Sequence, residues 1–214
     1  TETQDQMLDL IIKASEMSGK KNVVLSGGYA LNCVANYYYL TELNKLGIEL
    51  YVEPISNDGG TAVGVALLGF HSLTEISDKL NGREIYLGPQ YNYTTDEINS
   101  IVENYGAEIK DATDKDVVEL MTSKNIVSCF QGRSEAGPRA LGNRSLMFDP
   151  TFEDGKDFVN QIKNREYFRP FAGSILEEDV HEWFDLRGMD DTPHMMYAVN
   201  CQPGIAEKIP SIIH

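Results

Sequence analysis

The sequence predicts an α/β protein, because helical and strand patterns alternate along its N-terminal third and short apolar strands lead into glycine-rich turns. Such alternation is typical of parallel strands connected by helices. The predicted elements are a helix around Met7–Met17, a strand at Asn22–Leu25, a helix over Tyr29–Leu46, a strand at Ile48–Val52 and a helix over Thr61–Leu68. The small apolar residues of the last helix are typical of a helix packed on a sheet.

The rest of the chain predicts a second α/β unit, after a lapse in the apolar pattern between about Ser72 and Leu87. Its predicted helices are one capped by Thr94 or Thr95 and reaching Tyr105, one over Asp114–Ser123 and one over Asp154–Ile162. Its predicted strands are Ile126–Phe130, Ser145–Phe148, Phe171–Leu176 and Met195–Cys201. The last residues, up to His214, also have a strand pattern. Both ends look cut, so we expect a fragment of a longer protein.

Composition excludes several classes of protein. Hydrophobic residues make up 42% and charged residues 24%, as in ordinary globular proteins, and no apolar stretch approaches the roughly 20 residues of a membrane helix. A cytoplasmic setting without membrane contact is therefore expected. The three cysteines form no Cys-x-x-Cys pair, which favours buried, reduced thiols. The net charge of −15 argues against binding a nucleic-acid backbone.

Positive charge is concentrated in one segment of this acidic chain. Seven of the 18 Lys and Arg residues, but only six of the 33 Asp and Glu residues, lie between Gly132 and Arg169. Such a distribution favours a local site for a small anion over an extended nucleic-acid surface.

The segment Gly132–Arg144, called the arginine turn below, is the strongest candidate site. It places Arg133, Arg139 and Arg144 among three glycines directly after an apolar strand pattern. Glycines let backbone N–H groups approach a ligand, and guanidinium groups are planar forks that match phosphate or carboxylate oxygens. The alternative is that these arginines form surface ion pairs with Glu135, Asp149 and their neighbours, as Glu166 could also do further along.

Two further glycine turns lie in the N-terminal part. Ser26-Gly-Gly28 ends a strand and opens a helix, which suits a phosphate at a helix N-terminus, although such a turn is often merely tight. Asn57-Asp-Gly-Gly-Thr61 precedes the next helix, where Asp58 could hold a cation or serve only as the N-cap. Together the two turns resemble the paired phosphate loops of the actin, sugar-kinase and Hsp70 superfamily.

Four motifs resemble those of the O-carbamoyltransferases of nodulation-factor and antibiotic biosynthesis. Ser26–Cys33 is similar to the family's GGVALN segment, Ser56–Gly64 to GDGGTALG, Phe130–Ser145 to QGRMEFGPRALGNRS, and Lys163–Ala172 to KxREWFRPFAPS. The resemblance covers nearly the whole chain. It implies the end of an actin-like (ASKHA) α/β domain at residues 1–75, followed by a YrdC-like α/β domain at residues 80–214.

The resemblance also implies an activity. The YrdC-like domain would combine carbamoyl phosphate with ATP into carbamoyl-adenylate and pyrophosphate, and the other domain would transfer the carbamoyl group to a hydroxyl of a small-molecule acceptor. A homodimer is compatible with the sequence. The residues that would hold carbamoyl phosphate and the nucleotide phosphates are Arg133, Arg139, Arg144, Ser145, Lys163, Arg165 and Arg169. Those that would line the transfer site are Gly27, Gly28, Asn32, Asn57, Gly59 and Gly60.

Asp58 would be one ligand of a divalent metal, expected to be iron, and Mg would accompany ATP. The family's two metal-binding histidines would lie upstream of Thr1, and a loop of the nucleotide site beyond His214. We therefore expect the isolated chain to be unable to transfer carbamoyl groups. Two alternatives stay open: a nucleotide- or metabolite-binding module without catalysis, and an enzyme of tRNA threonylcarbamoylation, against which the strong acidity weighs.

Overall fold

The computed structural model describes residues 2–74 and 84–214 and shows a mixed α/β protein. The helices are α1 (Glu2–Ser18), α2 (Cys33–Asn44), α3 (Asp58–Leu73), α4 (Thr95–Tyr105), α5 (Asp114–Thr122), α6 (Gly155–Ile162) and α7 (Val180–Trp183). The strands are β1 (Asn22–Leu25), β2 (Glu49–Val52), β3 (Val127–Phe130), β4 (Arg144–Met147), β5 (Phe184–Asp185) and β6 (Asn200–Cys201). Short 3₁₀ helices occupy Gly28–Leu31, Glu177–Asp179, Ala206–Lys208 and Pro210–Ile212.

The chain divides into two compact units, each built from separate stretches of sequence. The first unit comprises Thr1–Ile85, Ala136–Arg139 and Ser174–Ala206. The second unit comprises Tyr86–Glu135, Ala140–Gly173 and Glu207–His214. Most of the predicted boundary between Ser72 and Leu87 lies outside the described residues.

The first unit is organised around a parallel pair of strands. β1 and β2 pair in parallel, with Val23 opposite Leu50, as the alternation of helices and strands predicts. Its core cluster is supplied by α1, α2 and the residue that precedes β2, with Ile11, Ala35, Tyr39, Leu43 and Ile48 all at most 5% exposed. Removal of these apolar surfaces from water is the main stabilising contribution here.

The helix α2 begins later than the sequence predicts. Gly28–Leu31 forms a 3₁₀ helix, and α2 starts only at Cys33. The reason is local, because the Asn32 side chain caps α2 by accepting a hydrogen bond from the Ala35 N–H at 3.1 Å. The expectation of an α-helix N-terminus directly after Ser26-Gly-Gly28 is therefore wrong.

The helix α3 extends beyond its predicted range and is more exposed than expected. Its composition is that of a buried helix, yet none of its residues is buried in the part of the chain that the structure describes. Val65 is 65% exposed and Leu68 is 70% exposed. The expected close packing of this helix on a sheet is not observed. Within residues 2–74 and 84–214, no helix has the length and apolar composition that a bilayer crossing requires.

The second unit contains the antiparallel pair of β3 and β4, which the arginine turn connects. Its helices α4 and α5 both begin with reciprocal capping boxes, at Thr94 with Glu97 and at Thr113 with Asp116. The predicted cap at Thr94 is thus confirmed. Both β3 and β4 lie within one residue of their predicted positions.

Three predicted strands are wrong or shortened. Phe171–Leu176 forms no strand, and the Phe171 N–H donates to the His214 ring at 3.2 Å instead of to a neighbouring strand. The strand expected over Met195–Cys201 shrinks to β6, which pairs antiparallel with β5. The C-terminal residues form a 3₁₀ helix that starts at Pro210, because proline suits the first helical position and has no N–H for a strand.

Candidate functional site

The arginine turn belongs partly to each unit. Ala136–Arg139 packs in the first unit, while Arg133 and Arg144 belong to the second. The two groups are therefore described separately below.

In the second unit, Arg144 lies at the exit of the arginine turn, where β4 begins. Its guanidinium carbon is 3.7 Å from the centroid of the Phe130 ring, which lies opposite it in the strand pair. Its Nη1 atom donates to the carbonyls of Gln131 at 2.7 Å and Asn143 at 2.8 Å, and Nη2 donates to Gly132 at 3.2 Å. These contacts fix the plane of the guanidinium group against the turn.

Arg133 is also held by main-chain oxygens. Its Nε donates to the Gly88 carbonyl at 2.7 Å and its Nη2 to the Leu87 carbonyl at 2.9 Å. Among the described residues, no carboxylate forms an ion pair with Arg133 or Arg144. The alternative that surface carboxylates neutralise these two arginines is therefore wrong. Their positive charges stay available to an anion, since carbonyl partners orient a guanidinium without cancelling its charge.

Glu135, which could have paired with an arginine, accepts backbone N–H groups instead. Its Oε1 atom lies 2.7 Å from the Leu141 nitrogen and 2.9 Å from the Asn143 nitrogen, with the Arg144 nitrogen at 3.4 Å. Partial burial tends to raise the pKa of this carboxyl, but the backbone donors outweigh burial and hold the pKa below its ordinary value. Glu135 is thus a fixed anion inside the turn.

The candidate residue Ser145 also supports the turn. Its hydroxyl oxygen accepts a hydrogen bond from the Gly142 N–H at 2.9 Å. Gly142 adopts a φ of 107°, a conformation that side-chain-bearing residues rarely adopt. The Ser145 hydroxyl proton is not used by this contact.

The second basic segment, Lys163–Arg169, follows α6 and is organised by Asn160. The Asn160 side chain is 1% exposed, and its Nδ2 donates to the Arg169 carbonyl at 2.9 Å. The Arg165 N–H returns to the Asn160 carbonyl at 2.9 Å. Lys163 is the C-cap of α6.

The charges of this second segment are not equally available. Arg169 forms an ion pair with Glu166 at 3.0 Å, as the sequence allowed. This hydrogen-bonded pair raises the pKa of Arg169 and lowers the pKa of Glu166. Arg165 lies over the Phe171 ring, 5.4 Å from its centroid. Arg165 and Lys163 form no ion pair among the described residues, so they are the better anion ligands.

In the first unit, Arg139 reaches the start of α2. Its Nη2 atom donates to the Leu31 carbonyl at 3.1 Å and lies 2.9 Å from the Cys33 sulfur. Its Nε atom is buried and has no hydrogen-bond partner among the described residues. The preceding Ala136 N–H donates to Ile85 at 2.8 Å. An unsatisfied buried N–H costs free energy, so this Nε would gain from an acceptor that a local rearrangement brought to it.

The predicted glycine turn at Ser26–Gly28 is present, but it leads into the four-residue 3₁₀ helix. Gly27 has a φ of 93°, which favours glycine at this position. Gly28 opens the 3₁₀ helix, and Asn32 is engaged as the cap of α2. This turn therefore lacks the α-helix N-terminus for which it was proposed as a phosphate site.

The other glycine turn places Asn57, not Asp58, at the N-cap of α3. The Asn57 side chain makes no capping bond, and its Oδ1 atom is buried without a partner in the part of the chain that the structure describes. A Cβ atom at Gly60 would overlap the Ile55 carbonyl, and one at Gly59 would lie 3.2 Å from the Asn57 Oδ1. Close backbone approach thus requires glycine at position 60, whereas the tight neighbour of Gly59 is the Asn57 side chain.

Asp58 lies in the first turn of α3. No cluster of three or more His, Cys, Asp or Glu side chains that could hold a metal ion occurs within the described part of the chain. Asp58 alone does not fit a metal centre, so the residues present do not complete the divalent-metal site expected from the resemblance.

Two structurally decisive residues, Asn160 and Asn36, were missed in the sequence, and Glu135 was named there only as a possible partner of the arginines. Asn36 is fully buried and donates to the carbonyls of Ala30 at 2.7 Å and Met196 at 2.8 Å. Asparagine is rarely buried in a helix unless it is hydrogen-bonded. A polar residue inside an apolar helical pattern, as at Asn36, was the signal that could have identified two of them.

Comparison with known proteins supports the motif resemblance. The family model described as Carbamoyltransferase N-terminus matches residues 4–67, and that described as Carbamoyltransferase C-terminus matches residues 118–214. The chain is 34% identical to nodulation protein NolNO of Sinorhizobium fredii over 94% of this chain and 30% of that protein. It is 33% identical to nodulation protein NolO of Bradyrhizobium diazoefficiens, covering 92% of this chain and 36% of that protein.

An uncharacterized protein of Synechocystis sp. is 36% identical over 91% of this chain and 32% of its own length. The chain thus spans about a third of the length of these curated relatives.

Proposed function

Because the chain belongs to the carbamoyltransferase family, we propose that it is the part of such an enzyme that activates carbamoyl phosphate with ATP. Water would first hydrolyse carbamoyl phosphate to carbamate and phosphate. A carbamate oxygen would then attack the α-phosphorus of ATP, forming carbamoyl-adenylate and releasing pyrophosphate. The carbamoyl group then passes to a hydroxyl oxygen of a small molecule, so the enzyme is an ATP-dependent O-carbamoyltransferase.

One observation carries the proposal. Arg133 and Arg144 are oriented by main-chain carbonyls and are paired with no described carboxylate, although the chain as a whole carries a net charge of −15. An acidic protein that leaves two fixed guanidinium groups without carboxylate partners gains binding free energy when phosphate oxygens take that place.

The residues of the second unit would act by position and charge. Arg133, Arg144, Lys163 and Arg165 would bind the phosphate oxygens of carbamoyl phosphate and the nucleotide. Their charges would stabilise the negative charge that develops on the transferred and leaving oxygens. The Ser145 hydroxyl, which keeps its proton free, would donate to one of these oxygens.

The residues of the first unit would serve the transfer step. The Nε of Arg139 is a donor and the Oδ1 of Asn57 is an acceptor; both are buried and have no partner among the described residues, so a ligand would reach them only after a local rearrangement. We assign to them the carbonyl oxygen and the amino group of the carbamoyl moiety, respectively. Gly27, Gly28, Gly59 and Gly60 would allow close approach of the backbone, and Asn32 would hold α2 in place.

A titration of the chain with carbamoyl phosphate, ATP and inorganic pyrophosphate tests the proposal. We expect each to bind, and we expect Arg144→Gln to weaken the binding of pyrophosphate by about 10-fold, as loss of one charged hydrogen-bond donor predicts. Lys110→Gln is the matched control, because Lys110 is 78% exposed and pairs with Glu108. Equal weakening by both substitutions would mean that only the net charge matters.

A second candidate function is a module that binds nucleotide or carbamoyl phosphate without transferring a group. It would use the same oriented guanidinium groups of Arg133 and Arg144. Carbamoyl-phosphate-dependent release of pyrophosphate from ATP would decide for the enzyme. Binding without release would decide for the module.

A further inference from the structure

Glu135 is the acidic residue of the arginine turn, and its contacts set it apart from the carboxylates around it. The sequence Gly132–Arg144 contains three arginines and this single carboxylate. Its Oε1 atom accepts from the Leu141 and Asn143 nitrogens at 2.7 and 2.9 Å, while no described arginine pairs with it. The carboxylate therefore serves the backbone of the turn and not its side-chain charges.

The backbone at residues 141–144 forms a nest of converging N–H groups. The Leu141, Asn143 and Arg144 nitrogens all face one oxygen atom, at 2.7, 2.9 and 3.4 Å. Successive N–H groups that point to one place form an anion-binding concavity, and the φ of 107° at Gly142 makes this geometry accessible. Glu135 fills the concavity with an anion from the same chain.

We propose that Glu135 is the positioning residue of the arginine turn: by holding this nest it sets the direction of Arg144 and Ser145. That Arg144 and Ser145 bind phosphate oxygens rests on the function proposed above. The local part of the inference, that the nest keeps its shape only while Glu135 holds it, stands on the hydrogen bonds alone.

The other contacts of the nest cannot replace Glu135. The Asn143 side chain donates to the Arg133 carbonyl at 2.7 Å, and the Asn143 carbonyl accepts from Gln131 at 3.1 Å. The Tyr86 hydroxyl donates to the Leu141 carbonyl at 3.0 Å. All three contacts use carbonyls or a side chain, so the converging N–H groups depend on the carboxylate.

The local part is tested by hydrogen exchange of the 214-residue chain, measured by mass spectrometry. Glu135→Gln keeps the side-chain shape but removes the charge, and Glu135→Ala removes the acceptor. We expect about 10-fold faster exchange for Glu135→Gln in peptides covering residues 140–145, as loss of a charge-assisted hydrogen bond predicts. Elsewhere the exchange rates should not change. Glu119→Gln is the matched control, because its side chain is 64% exposed and faces Lys115 at 3.7 Å.

Unchanged exchange at residues 140–145 in Glu135→Gln would overturn the inference. Faster exchange throughout the chain would overturn it too, because Glu135 would then stabilise the whole fold and not the nest in particular. If Glu135→Ala fails to fold, Glu135→Gln decides the outcome alone.

Titration with inorganic pyrophosphate then tests whether Glu135 positions Arg144 and Ser145 for binding phosphate oxygens. We expect Glu135→Gln to bind pyrophosphate about 10-fold more weakly, although Glu135 would not touch it. Unchanged affinity together with faster exchange would overturn the positioning of Arg144. If the unsubstituted chain binds no pyrophosphate, the proposed function fails. The exchange experiment still tests whether Glu135 keeps the nest in shape.

Discussion

The Arg144 guanidinium lies over the ring of Phe130, 3.7 Å from its centroid, across the β3–β4 pair. This contact joins the two ends of the arginine turn, since Phe130 ends β3 and Arg144 begins β4. The Phe130 ring contacts the face of the guanidinium group. The Nη atoms at the edge of the guanidinium group donate to the carbonyls of Gln131, Gly132 and Asn143.

Substitution of Phe130 should therefore weaken the turn although the ring is 60% exposed. Phe130→Leu removes a cation–π contact of about 0.5–1 kcal/mol, and the free energy of unfolding should fall by that amount. Urea denaturation measures it. Tyr105→Leu is the control, because Tyr105 is 84% exposed and lies outside the turn. An equal loss in both variants would contradict the assigned contact.

Asn160→Ala should destabilise the chain more strongly. The substitution removes the hydrogen bond from the buried Asn160 amide to the Arg169 carbonyl and leaves a cavity where the amide was, which together cost about 1–3 kcal/mol of the free energy of unfolding. Thermal unfolding of Asn160→Ala and of the exposed control Asn99→Ala provides the comparison. Similar melting temperatures for the two variants would show that the buried amide does not hold the basic segment.

Two glycines of α3 provide an internal comparison. A Cβ at Gly60 would overlap the Ile55 carbonyl, whereas a Cβ at Gly64 meets nothing within 4 Å. Gly60→Ala should therefore destabilise the protein, and Gly64→Ala should raise the free energy of unfolding by about 0.5–1 kcal/mol through helix propensity. Chemical denaturation of both variants checks the signs. Stabilisation by Gly60→Ala would be incompatible with the turn described.

Alkaline pH should destabilise the first unit through Tyr197. Burial raises the pKa of Tyr197 to about 12, and the nearby Tyr51 adds to the increase. An unfolded tyrosine titrates near pH 10. The contribution of Tyr197 is thus fully present below about pH 10 and is lost as the pH rises through its folded pKa. Melting temperatures of the unsubstituted chain and Tyr197→Phe between pH 8 and pH 12 should diverge above about pH 10. Parallel curves would contradict the prediction.

Regular elements with local signals could be predicted from the sequence. β1 has its predicted bounds, and α4 is capped by Thr94, one of the two threonines predicted, because both features depend on neighbouring residues. The start of α2 was missed because the competing cap at Asn32 lies inside an apparently continuous helical pattern. The strand predicted over Phe171–Leu176 was wrong for another reason: the backbone partner of Phe171 is a distant residue, His214.

The candidate site shows the same limit. The type of ligand follows from residue composition, since arginines among glycines favour an anion. The partners of those arginines do not. Whether Glu135 binds guanidinium groups or backbone N–H groups depends on the φ of Gly142, which a sequence pattern does not define.

Because the two units alternate along the sequence, few positions are suitable for truncating the chain. The first unit draws on three separate stretches, so an expression product ending at Ile85 would lack Ser174–Ala206. Met196 would be lost with that stretch, and with it the carbonyl that receives the amide of the fully buried Asn36. Truncation at an apparent domain border would leave this amide short of an acceptor inside the core. The roles of the two units are therefore better tested by point substitutions than by truncated chains.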